Sequence, residues 1–541
     1  MFKLTDKIRK DQRGYRENYN KMSEGKISFD EFKPYASSMG VYAQREAGTF
    51  MIRPRILSGI VSVMQLKKIS EISKKFSYGK IHLTTRQDVQ FHKLNIEDTP
   101  EIFDEMLKVD LINKGAGGNS VRNVSCSPLS GVDRNEVFDV TQHSESVTEH
   151  LLGLDNICTL PRKYKIAFSN SKTDTARATV SDLGFVAKLV DGKRGFEVYG
   201  AGGLGGSPSV SIKLSEFISE QEILYYVKAM MDLFDAEGDR INRNKARIRF
   251  IRYRLGDEEF IKLFNSYLDA VKEKYDLRIN IKPDMELSES PHIYGGKDKR
   301  VEEQKNRGSY SLFVHPVNGD IMADDLDNII RYAENLDYEI DFRLTGTQGI
   351  CIRNVRGNDV EGLLEIIRPF TREYVVENSV ACTGAANCRI GLCNTNGLIE
   401  DLKETLESID EGTGVKLPRI FVSGCKNSCG WHHIGGIGFA GRALKGEKGS
   451  VPAYTVYFNG KVVAGESRLA ESYGVIPARN ISAFLKSLFK SFSVSGYEFE
   501  EFISGNRALI DELVYEYSKL DRIDKDKLYF DFGFESEFLK K

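Results

Sequence analysis

Apolar side chains recur every three to four residues in two well-separated segments of the chain. Residues 63–76 (VMQLKKISEISKKF) have the spacing of one face of an amphipathic helix, and residues 324–336 (DDLDNIIRYAENL) repeat it. Residues 81–94 (IHLTTRQDVQFHKL) alternate weakly and are rich in Thr, Val, Ile and Phe, which predicts two strands around a turn. The pattern indicates a small module of strands and a helix that occurs twice.

Short matches between the two halves support a duplication. They occur in the same order at a nearly constant offset, which is far longer than the repeat of a solenoid. The matched pairs include Gly59 with Gly319, Thr84 with Thr345, Gln87 with Gln348, Leu160 with Leu417 and Gly184 with Gly438. We therefore predict two copies of one two-module α+β unit, related by a pseudo-two-fold axis.

Bulk composition bounds the partners of the chain. Its 541 residues are 41% hydrophobic and 28% charged, with a net charge of −2, so no overall field attracts nucleic acid or a membrane surface. The basic segment 235–256 is interpreted as a crossing between the halves, not as a nucleic-acid site. The polar N-terminus and the lack of a long apolar run predict neither a signal peptide nor a membrane span. We expect no nucleic-acid or membrane partner, and a cytoplasmic protein with reduced thiols.

Two pairs of cysteines carry the candidate chemistry. Cys382 and Cys388 lie in ACTGAANCR, and Cys425 and Cys429 lie in VSGCKNSCG, both rich in small residues. Zinc ligands usually pair with two to four intervening residues, which the second pair fits and the first does not. Iron–sulfur clusters tolerate longer spacing, so the pattern favours a cluster over zinc or over unliganded buried thiols. Cys393 and the isolated cysteines are interpreted as buried apolar residues: Cys126, Cys158 and Cys351.

The first half has none of these four cysteines. It carries Arg122, Lys163 and Lys165 at what the matches indicate are the corresponding places. Lys163 and Lys165 alternate along a predicted strand, so both side chains should point to one face, although a solvated strand face would give the same pattern. We expect one half to hold a metal centre and the other to present positive charge to it.

A GxGxxG match at residues 200–206 is not interpreted as a dinucleotide site. The segment that follows, SPSVSIKL, does not begin a helix, and no βαβ unit surrounds it.

The cysteine spacing resembles that of the siroheme and [4Fe–4S] sulfite and nitrite reductase family. Two pairs, C-x5-C and C-x3-C, are separated by 36 residues, and GVYAQREAGTFMIR at 40–53 resembles the start of the family. The resemblance covers roughly residues 40–490. It implies a duplicated α+β fold in which a ferredoxin-like half-domain precedes a larger siroheme and iron–sulfur domain. The implied divisions are an extension (1–39), a first half-domain (40–110), a first larger domain without cluster (111–255), a linker helix (256–300), a second half-domain (301–370), a cluster-binding domain (371–490) and a helical tail (491–541).

The resemblance also implies roles for individual residues. The four paired cysteines would hold the [4Fe–4S] cluster, and Cys429 would join it to the siroheme iron. The implied substrate cations are Arg53, Arg122, Lys163 and Lys165, with Arg55 as the substitute if the first motif is displaced by two residues. The implied siroheme contacts are Arg86, Gln90 and Arg162. For each of these contacts a plain surface role is the alternative.

The implied reaction is a six-electron reduction of a small oxyanion. Nitrite-reducing members of the family commonly have Asn at the position of Lys165, whereas sulfite-reducing members have Lys, so we expect sulfite, with nitrite as the alternative. No flavin or nicotinamide domain is visible in the sequence, so the electrons should come from a separate donor, which the family suggests is ferredoxin.

An absorption spectrum of the purified protein separates these interpretations. A siroheme enzyme should show a Soret band and a red-region band. A non-catalytic iron–sulfur carrier would show only a broad brown shoulder, and a zinc-stabilised binding protein would be colourless. Metal-replete protein without chlorin absorption would contradict the siroheme assignment.

Overall fold

A computed structural model describes residues 4–284 and 289–539, which we call the first and second halves. The helices within these residues are α1 (Asp6–Ser23), α2 (Phe29–Ser38), α3 (Val63–Phe76), α4 (Thr99–Leu107), α5 (Thr141–Gly153), α6 (Ile223–Glu237), α7 (Ile248–Leu255), α8 (Asp257–Lys274), α9 (Ala323–Glu334), α10 (Val360–Ile367), α11 (Gly384–Asn387), α12 (Thr395–Asp401), α13 (Lys403–Glu407), α14 (Glu411–Gly414), α15 (Ile481–Ser493), α16 (Phe499–Gly505) and α17 (Arg507–Tyr517).

The strands of the same residues form four five-stranded sheets. They are β1 (Val41–Ala43), β2 (Phe50–Ile52), β3 (Ile60–Val61), β4 (Lys80–Leu83), β5 (Val89–Leu94), β6 (Ser125–Cys126), β7 (Ile166–Ser169), β8 (Leu183–Val190), β9 (Lys193–Gly200), β10 (Ile212–Ser219), β11 (Val301–Glu303), β12 (Ser309–Val314), β13 (Asp320–Met322), β14 (Asp341–Leu344), β15 (Ile350–Arg356), β16 (Val380–Ala381), β17 (Ile420–Ser423), β18 (Ile437–Lys445), β19 (Ser450–Phe458) and β20 (Glu471–Pro477).

The predicted elements of the repeated small module are present in both halves. Helix α3 spans the predicted residues 63–76, and Ser62 begins it with a capping box in which its hydroxyl accepts a hydrogen bond from the Gln65 amide. Its counterpart α9 begins one residue before the predicted segment 324–336 and ends two residues before the end of that segment. Strands β4 and β5 flank the predicted turn. The duplicated α+β fold is thus confirmed.

Each half completes the small sheet of the other. The small sheets have the orders β1-β2-β5-β4-β13 and β11-β12-β15-β14-β3, so β13 of the second half joins the first-half sheet and β3 of the first half joins the second. Ile321 pairs with Ile81 in one exchange, and Val61 pairs with Phe342 in the other. The buried side chains of both small sheets form one hydrophobic cluster. Because the strands are exchanged, neither small sheet is complete within its own half.

Two buried glutamines also connect the halves, because each side chain hydrogen-bonds to the backbone of the opposite half. Gln87 donates to the carbonyl of Leu344 in the second half (2.8 Å) and accepts from the Cys126 amide (3.0 Å). Gln348 donates to the carbonyl of Leu83 in the first half (3.2 Å) and accepts from the Ala381 amide (2.8 Å). Each buried amide therefore fixes the first strand of its own large sheet against the opposite half.

The large sheets have matching topology. Their orders are β10-β9-β8-β7-β6 and β16-β17-β18-β19-β20. In each sheet the first three strands in chain order pair in parallel, and the fourth and fifth strands each pair antiparallel with the strand before them. The carboxyl ends of β16 and β17 therefore meet at one edge, and those of β6 and β7 do the same. Loops at such edges are the usual place for ligands on parallel strands.

Strand register corrects the correspondence expected between cations and cysteines. The amide of Ser127 bonds to the carbonyl of Phe168, as the amide of Cys382 bonds to that of Val422, so Ser127 is the counterpart of Cys382. The loops after β7 and β17 have equal lengths, which makes Ser171 and Thr175 the counterparts of Cys425 and Cys429. The expectation that Arg122, Lys163 and Lys165 occupy these places is wrong, because the sequence matches drift in offset between the two motifs.

The basic crossing segment and the tail both pack against the large sheets. Arg247, just before α7, forms a buried ion pair with Asp182, whose carboxylate also accepts the Lys165 amide at 2.9 Å. The glycine-rich loop leads into β10 and not into a helix, as the sequence indicated. Helices α16 and α17 bury Ile503 and Ile510 in the core of the second large sheet. Within the described ranges, none of the helices has the length and apolar character needed to cross a lipid bilayer.

Candidate active site

One cavity of about 540 Å³ lies between the two halves and brings most of the predicted site residues together. Its lining includes all four paired cysteines, Gln90 and the predicted cations Arg53, Arg86, Arg122, Lys163 and Lys165. The volume is within the range of cofactor sites in proteins. The cavity thus has a thiol wall from the second half and a cationic wall from the first.

The thiol wall is built at the edge where two parallel strands end. Cys382 directly follows β16, and Cys425 and Cys429 lie in the loop after the neighbouring β17. Cys388 follows the short helix α11. The Gly424 amide donates to the Cys382 sulfur at 3.2 Å, so this hydrogen bond joins the ends of the two strands at a predicted ligand atom.

The electrostatics of these thiols favour a centre that supplies positive charge. Burial, together with the nearby Cys429, raises the pKa of Cys382 to about 12. Burial also raises the pKa of Cys425. Among the residues that the structure describes, no three His, Cys, Asp or Glu side chains are arranged to hold a single metal ion. Four thiols that line one cavity fit the separate iron corners of a [4Fe–4S] cluster.

The cationic wall depends on the alternation of side chains before β7. Tyr164 is buried in the core and donates to the Val227 carbonyl at 3.4 Å, while Lys163 and Lys165 on either side both line the cavity. Burial lowers the pKa of Lys163 to about 7, and burial together with Lys163 lowers that of Lys165 well below its usual range. In the described ranges neither ammonium group forms an ion pair. Both lysines are therefore poised to take up an anion.

Three arginines complete this wall and are held by backbone carbonyls. Arg122 donates to the carbonyls of Ala116 (3.0 Å) and Gly118 (2.7 Å), and Arg53 donates to that of Ala116 at 3.0 Å. Arg86 donates to the Ile166 carbonyl at 2.9 Å. The Nε atoms of Arg86 and Arg122 are buried without a hydrogen-bond partner in the described residues. A buried donor of this kind is costly unless a ligand accepts from it.

The unpartnered Nε atoms of Arg86 and Arg122 fit a bound polycarboxylate. Siroheme carries several carboxylates, and guanidinium groups bind carboxylates with short, charge-assisted hydrogen bonds. Leu204 of the glycine-rich loop also lines the cavity, and Gly203 and Gly205 have φ of 140° and 134°. That backbone conformation favours glycine, and a Cβ atom at Gly203 would also lie 2.8 Å from the Arg247 guanidinium.

Two of the predicted cations lie elsewhere. Arg55, the substitute for Arg53, is only 1% exposed, and its guanidinium donates to the carbonyls of Lys114 and Arg122. It supports the wall from behind. Arg162 is half-buried and is not among the described residues that line the cavity. Burial lowers its pKa, and the nearby positive charges of Arg243 and Arg247 lower it further. Its predicted contact with siroheme is therefore not supported by the geometry.

Sequence reasoning missed several lining residues, among them Tyr42, Thr85 and Asp88. The Tyr42 hydroxyl accepts from the Gly118 amide at 2.6 Å. Burial raises the pKa of Asp88 to about 6, although its carboxylate accepts from the Ile56 amide. Thr85 and Asp88 lie in the same turn as the predicted Arg86, so the position of that turn could have indicated that they line the cavity.

Comparison with known protein families matches three segments of the chain. The model described as the nitrite and sulphite reductase 4Fe-4S domain matches residues 117–272. The model described as the nitrite/sulfite reductase ferredoxin-like half domain matches residues 42–109 and 302–370. Together these segments span just over half of the chain. The first match falls on the copy without paired cysteines, so the thiol wall lies outside it.

Individual relatives match over most of the chain. A ferredoxin–nitrite reductase from Synechococcus elongatus is 28% identical over 431 residues, which cover 77% of this chain and 80% of that protein. The assimilatory ferredoxin-dependent nitrite reductase of Haloferax mediterranei is 26% identical and covers 86% and 83%. The chloroplastic ferredoxin–nitrite reductase of Arabidopsis thaliana is 26% identical and covers 90% and 84%. The solved structure of the Mycobacterium tuberculosis NirA protein shares the fold, with a TM-score of 0.80, 24% identity and coverage of 93% and 95%.

Substitution of single cysteines tests the thiol wall. We expect Cys382→Ser, Cys388→Ser, Cys425→Ser and Cys429→Ser each to lose most of the bound iron and acid-labile sulfide, because a serine hydroxyl is a poor ligand for this centre. Cys393→Ser is the matched control, since Cys393 is fully buried and its thiol donates to the Ala453 carbonyl at 3.4 Å. Iron loss in the control but not in the four variants would contradict the ligand set.

Proposed function

Because the chain belongs to the nitrite and sulfite reductase family, we propose that it reduces nitrite to ammonia with six electrons supplied by ferredoxin. Its cofactors are those of the family, siroheme and a [4Fe–4S] cluster. The matched segments show that the chain is an enzyme of this family.

The agreement among the relatives is the observation that supports nitrite as the substrate. Those from a cyanobacterium, a plant and an archaeon are all named for nitrite and for ferredoxin, and each matches at least three quarters of this chain. The comparisons thus favour the alternative that the sequence left open over sulfite, which was expected from Lys165.

The cavity supplies what nitrite reduction requires of a protein. Nitrite takes up six electrons and eight protons to yield ammonium and two water molecules, so both oxygens leave after protonation. Cations that bind these oxygens stabilise the charge that develops as each N–O bond breaks. We assign this role to Arg53, Arg122, Lys163 and Lys165. Of these, Arg122 is placed by two carbonyls and Lys165 by the bond of its amide to Asp182.

Lys163 is the best placed of the four to move protons. Its pKa of about 7, which burial and the neighbouring Arg247 set, allows it to donate a proton and recover one near neutral pH. The arginines stay charged at the same pH and orient the anion by their planar forks.

Arg86 and Gln90 would hold the siroheme carboxylates, and the four paired cysteines would hold the cluster. When bound, these cofactors supply the iron that takes the anion and the electrons that reduce it. Arg389 and Ile390, directly after Cys388, are exposed, so a protein donor has a surface beside one cluster ligand. This surface supports an external donor such as ferredoxin.

Sulfite is the second candidate, and Lys165 is the observation that favours it. Its side chain lines the cavity beside Lys163, and a second ammonium suits a bulkier, more highly charged oxyanion.

The deciding experiment compares the two anions on the holoenzyme with reduced ferredoxin as donor. We expect a higher kcat/KM for nitrite than for sulfite, and one ammonium formed for every six electrons consumed. A higher kcat/KM for sulfite, with sulfide as product, would replace the proposal by the second candidate. Turnover of neither anion would contradict both.

The variant Lys165→Asn tests the selector role of this position. We expect sulfite turnover to fall about tenfold or more, since a charge-assisted hydrogen bond is lost, and nitrite turnover to fall less. Lys172→Asn, an exposed lysine outside the cavity lining, is the control and should leave both rates unchanged. Equal losses for the two anions in Lys165→Asn would show that this residue does not choose between them.

A further inference from the structure

The two halves anchor the loop after the second strand of their large sheets in different ways. In the first half this loop is 170–175, after β7, and in the second it is 424–429, after β17. Both loops contain one residue in the left-handed region, Asp174 (φ 49°) and Ser428 (φ 52°). Both also share a bond to the last residue of the strand, from Ala176 to Ser169 (3.2 Å) and from Gly430 to Ser423 (3.0 Å). The backbones correspond, so differences in side-chain anchoring are informative.

The first-half loop is anchored from within by a buried carboxylate. Asp174 accepts hydrogen bonds from the Ser169 hydroxyl (2.6 Å) and from the Ala178 amide (2.6 Å). It also accepts from the amide (2.9 Å) and the hydroxyl (2.6 Å) of Thr179. One side chain thus ties the loop to the strand before it and to the turn after it.

The second-half loop, which carries Cys425 and Cys429, lacks this internal anchor. Ser428 stands where the first half has Asp174, and its hydroxyl is buried with no hydrogen-bond partner in the described residues. A carboxylate at this position would lie between two cluster ligands, where its charge would oppose the thiolates. The chemistry of the cluster therefore disfavours the anchor that the other half uses.

An anchor from the opposite half is present instead. The Thr85 hydroxyl donates to the carbonyl of Cys429 at 3.0 Å. Thr85 lies in the first-half turn between β4 and β5, and its counterpart in the second-half turn is Gly346, which has no side chain. A Cβ atom at Gly346 would lie 2.8 Å from the Trp431 ring. The two arrangements thus differ in opposite ways: in the loops Asp174 corresponds to Ser428, and in the turns Gly346 corresponds to Thr85.

We propose that Thr85 is a positioning residue that holds Cys429, and with it the second cysteine loop, in place from the opposite half. Its neutral hydroxyl replaces the internal carboxylate without adding charge beside the thiolates. Because Thr85 adjoins Arg86 on the cationic wall, one turn sets the distance between that wall and Cys429. This inference rests on the cysteine ligands of the proposed enzyme but not on the choice of nitrite as substrate.

The test compares three variants of the holoenzyme. Thr85→Val keeps the shape of the side chain and removes the donor, whereas Thr85→Ser keeps the donor. Thr347→Val is the matched control, since Thr347 lies in the equivalent second-half turn and its hydroxyl hydrogen-bonds to the Thr345 hydroxyl of the same turn at 3.0 Å. The measurements are deuterium uptake by the peptide spanning 424–431, release of iron to a chelator, and the electron paramagnetic resonance spectrum.

We expect deuterium uptake and iron release to be about fivefold faster in Thr85→Val, because loss of one hydrogen bond changes an opening equilibrium by roughly that factor. The resonance spectrum of Thr85→Val should also change. Thr85→Ser and Thr347→Val should match the unsubstituted protein in all three measurements.

Unchanged uptake in Thr85→Val would overturn the proposal, and so would equal effects of Thr85→Ser or Thr347→Val, which would indicate loss of packing. If Thr85→Val fails to fold or to bind cofactors, normal loading of Thr85→Ser supports the role of the donor, and failure of both overturns it. None of these measurements depends on which anion is reduced, so failure here is distinguishable from failure of the proposed function.

Discussion

The exchange of strands β3 and β13 between the small sheets is the constraint on which the rest of the structure depends. Each exchanged strand hydrogen-bonds to the opposite half, and the side chains beneath both sheets form one core. Separating the halves would expose this core and leave two sheet edges unpaired, which is costly for buried backbone groups. The halves are therefore held in one relation, and the cavity between their large sheets keeps its width. The reciprocal bonds of Gln87 and Gln348 carry this constraint to the strand that precedes Cys382.

A shared backbone with different side chains turns this symmetric frame into an asymmetric site. The strand edge that carries Cys382, Cys425 and Cys429 has Ser127, Ser171 and Thr175 at the matching places in the first half. The same duplicated fold thus yields one thiol wall only. The opposing cations come from segments before β7 and beside the first small sheet, and in the part of the chain that the structure describes the Nε atoms of Arg86 and Arg122 have no hydrogen-bond partner. Positive charge on one wall and thiols on the other are complementary because the duplication lets each copy specialise.

Much of the architecture could be predicted because it follows from local patterns. The helix at 63–76 begins at a capping serine and buries one apolar face, so its bounds follow from the chain alone. The duplication and the cysteine spacing are also properties of the linear sequence. The correspondence of Arg122 with a cysteine was wrong, since small insertions shift the offset between motifs and only strand register resolves them. Arg55 and Arg162 illustrate a further limit. The sequence does not distinguish an arginine that lines the cavity from one that is buried against backbone carbonyls, as Arg55 is, or from one that lies outside the cavity, as Arg162 does.

The sequence by itself determined the spacing of the four candidate cysteine ligands, the presence of two copies and the family, because spacing and periodicity belong to the covalent chain. Tertiary structure alone decided which cations face the thiols, that Arg55 supports the wall and does not line it, and that Thr85 reaches Cys429. These outcomes depend on how two halves meet across an exchanged strand, where residues hundreds of positions apart come within hydrogen-bond distance. No local pattern encodes that meeting, since it results from the burial of a core that both halves share.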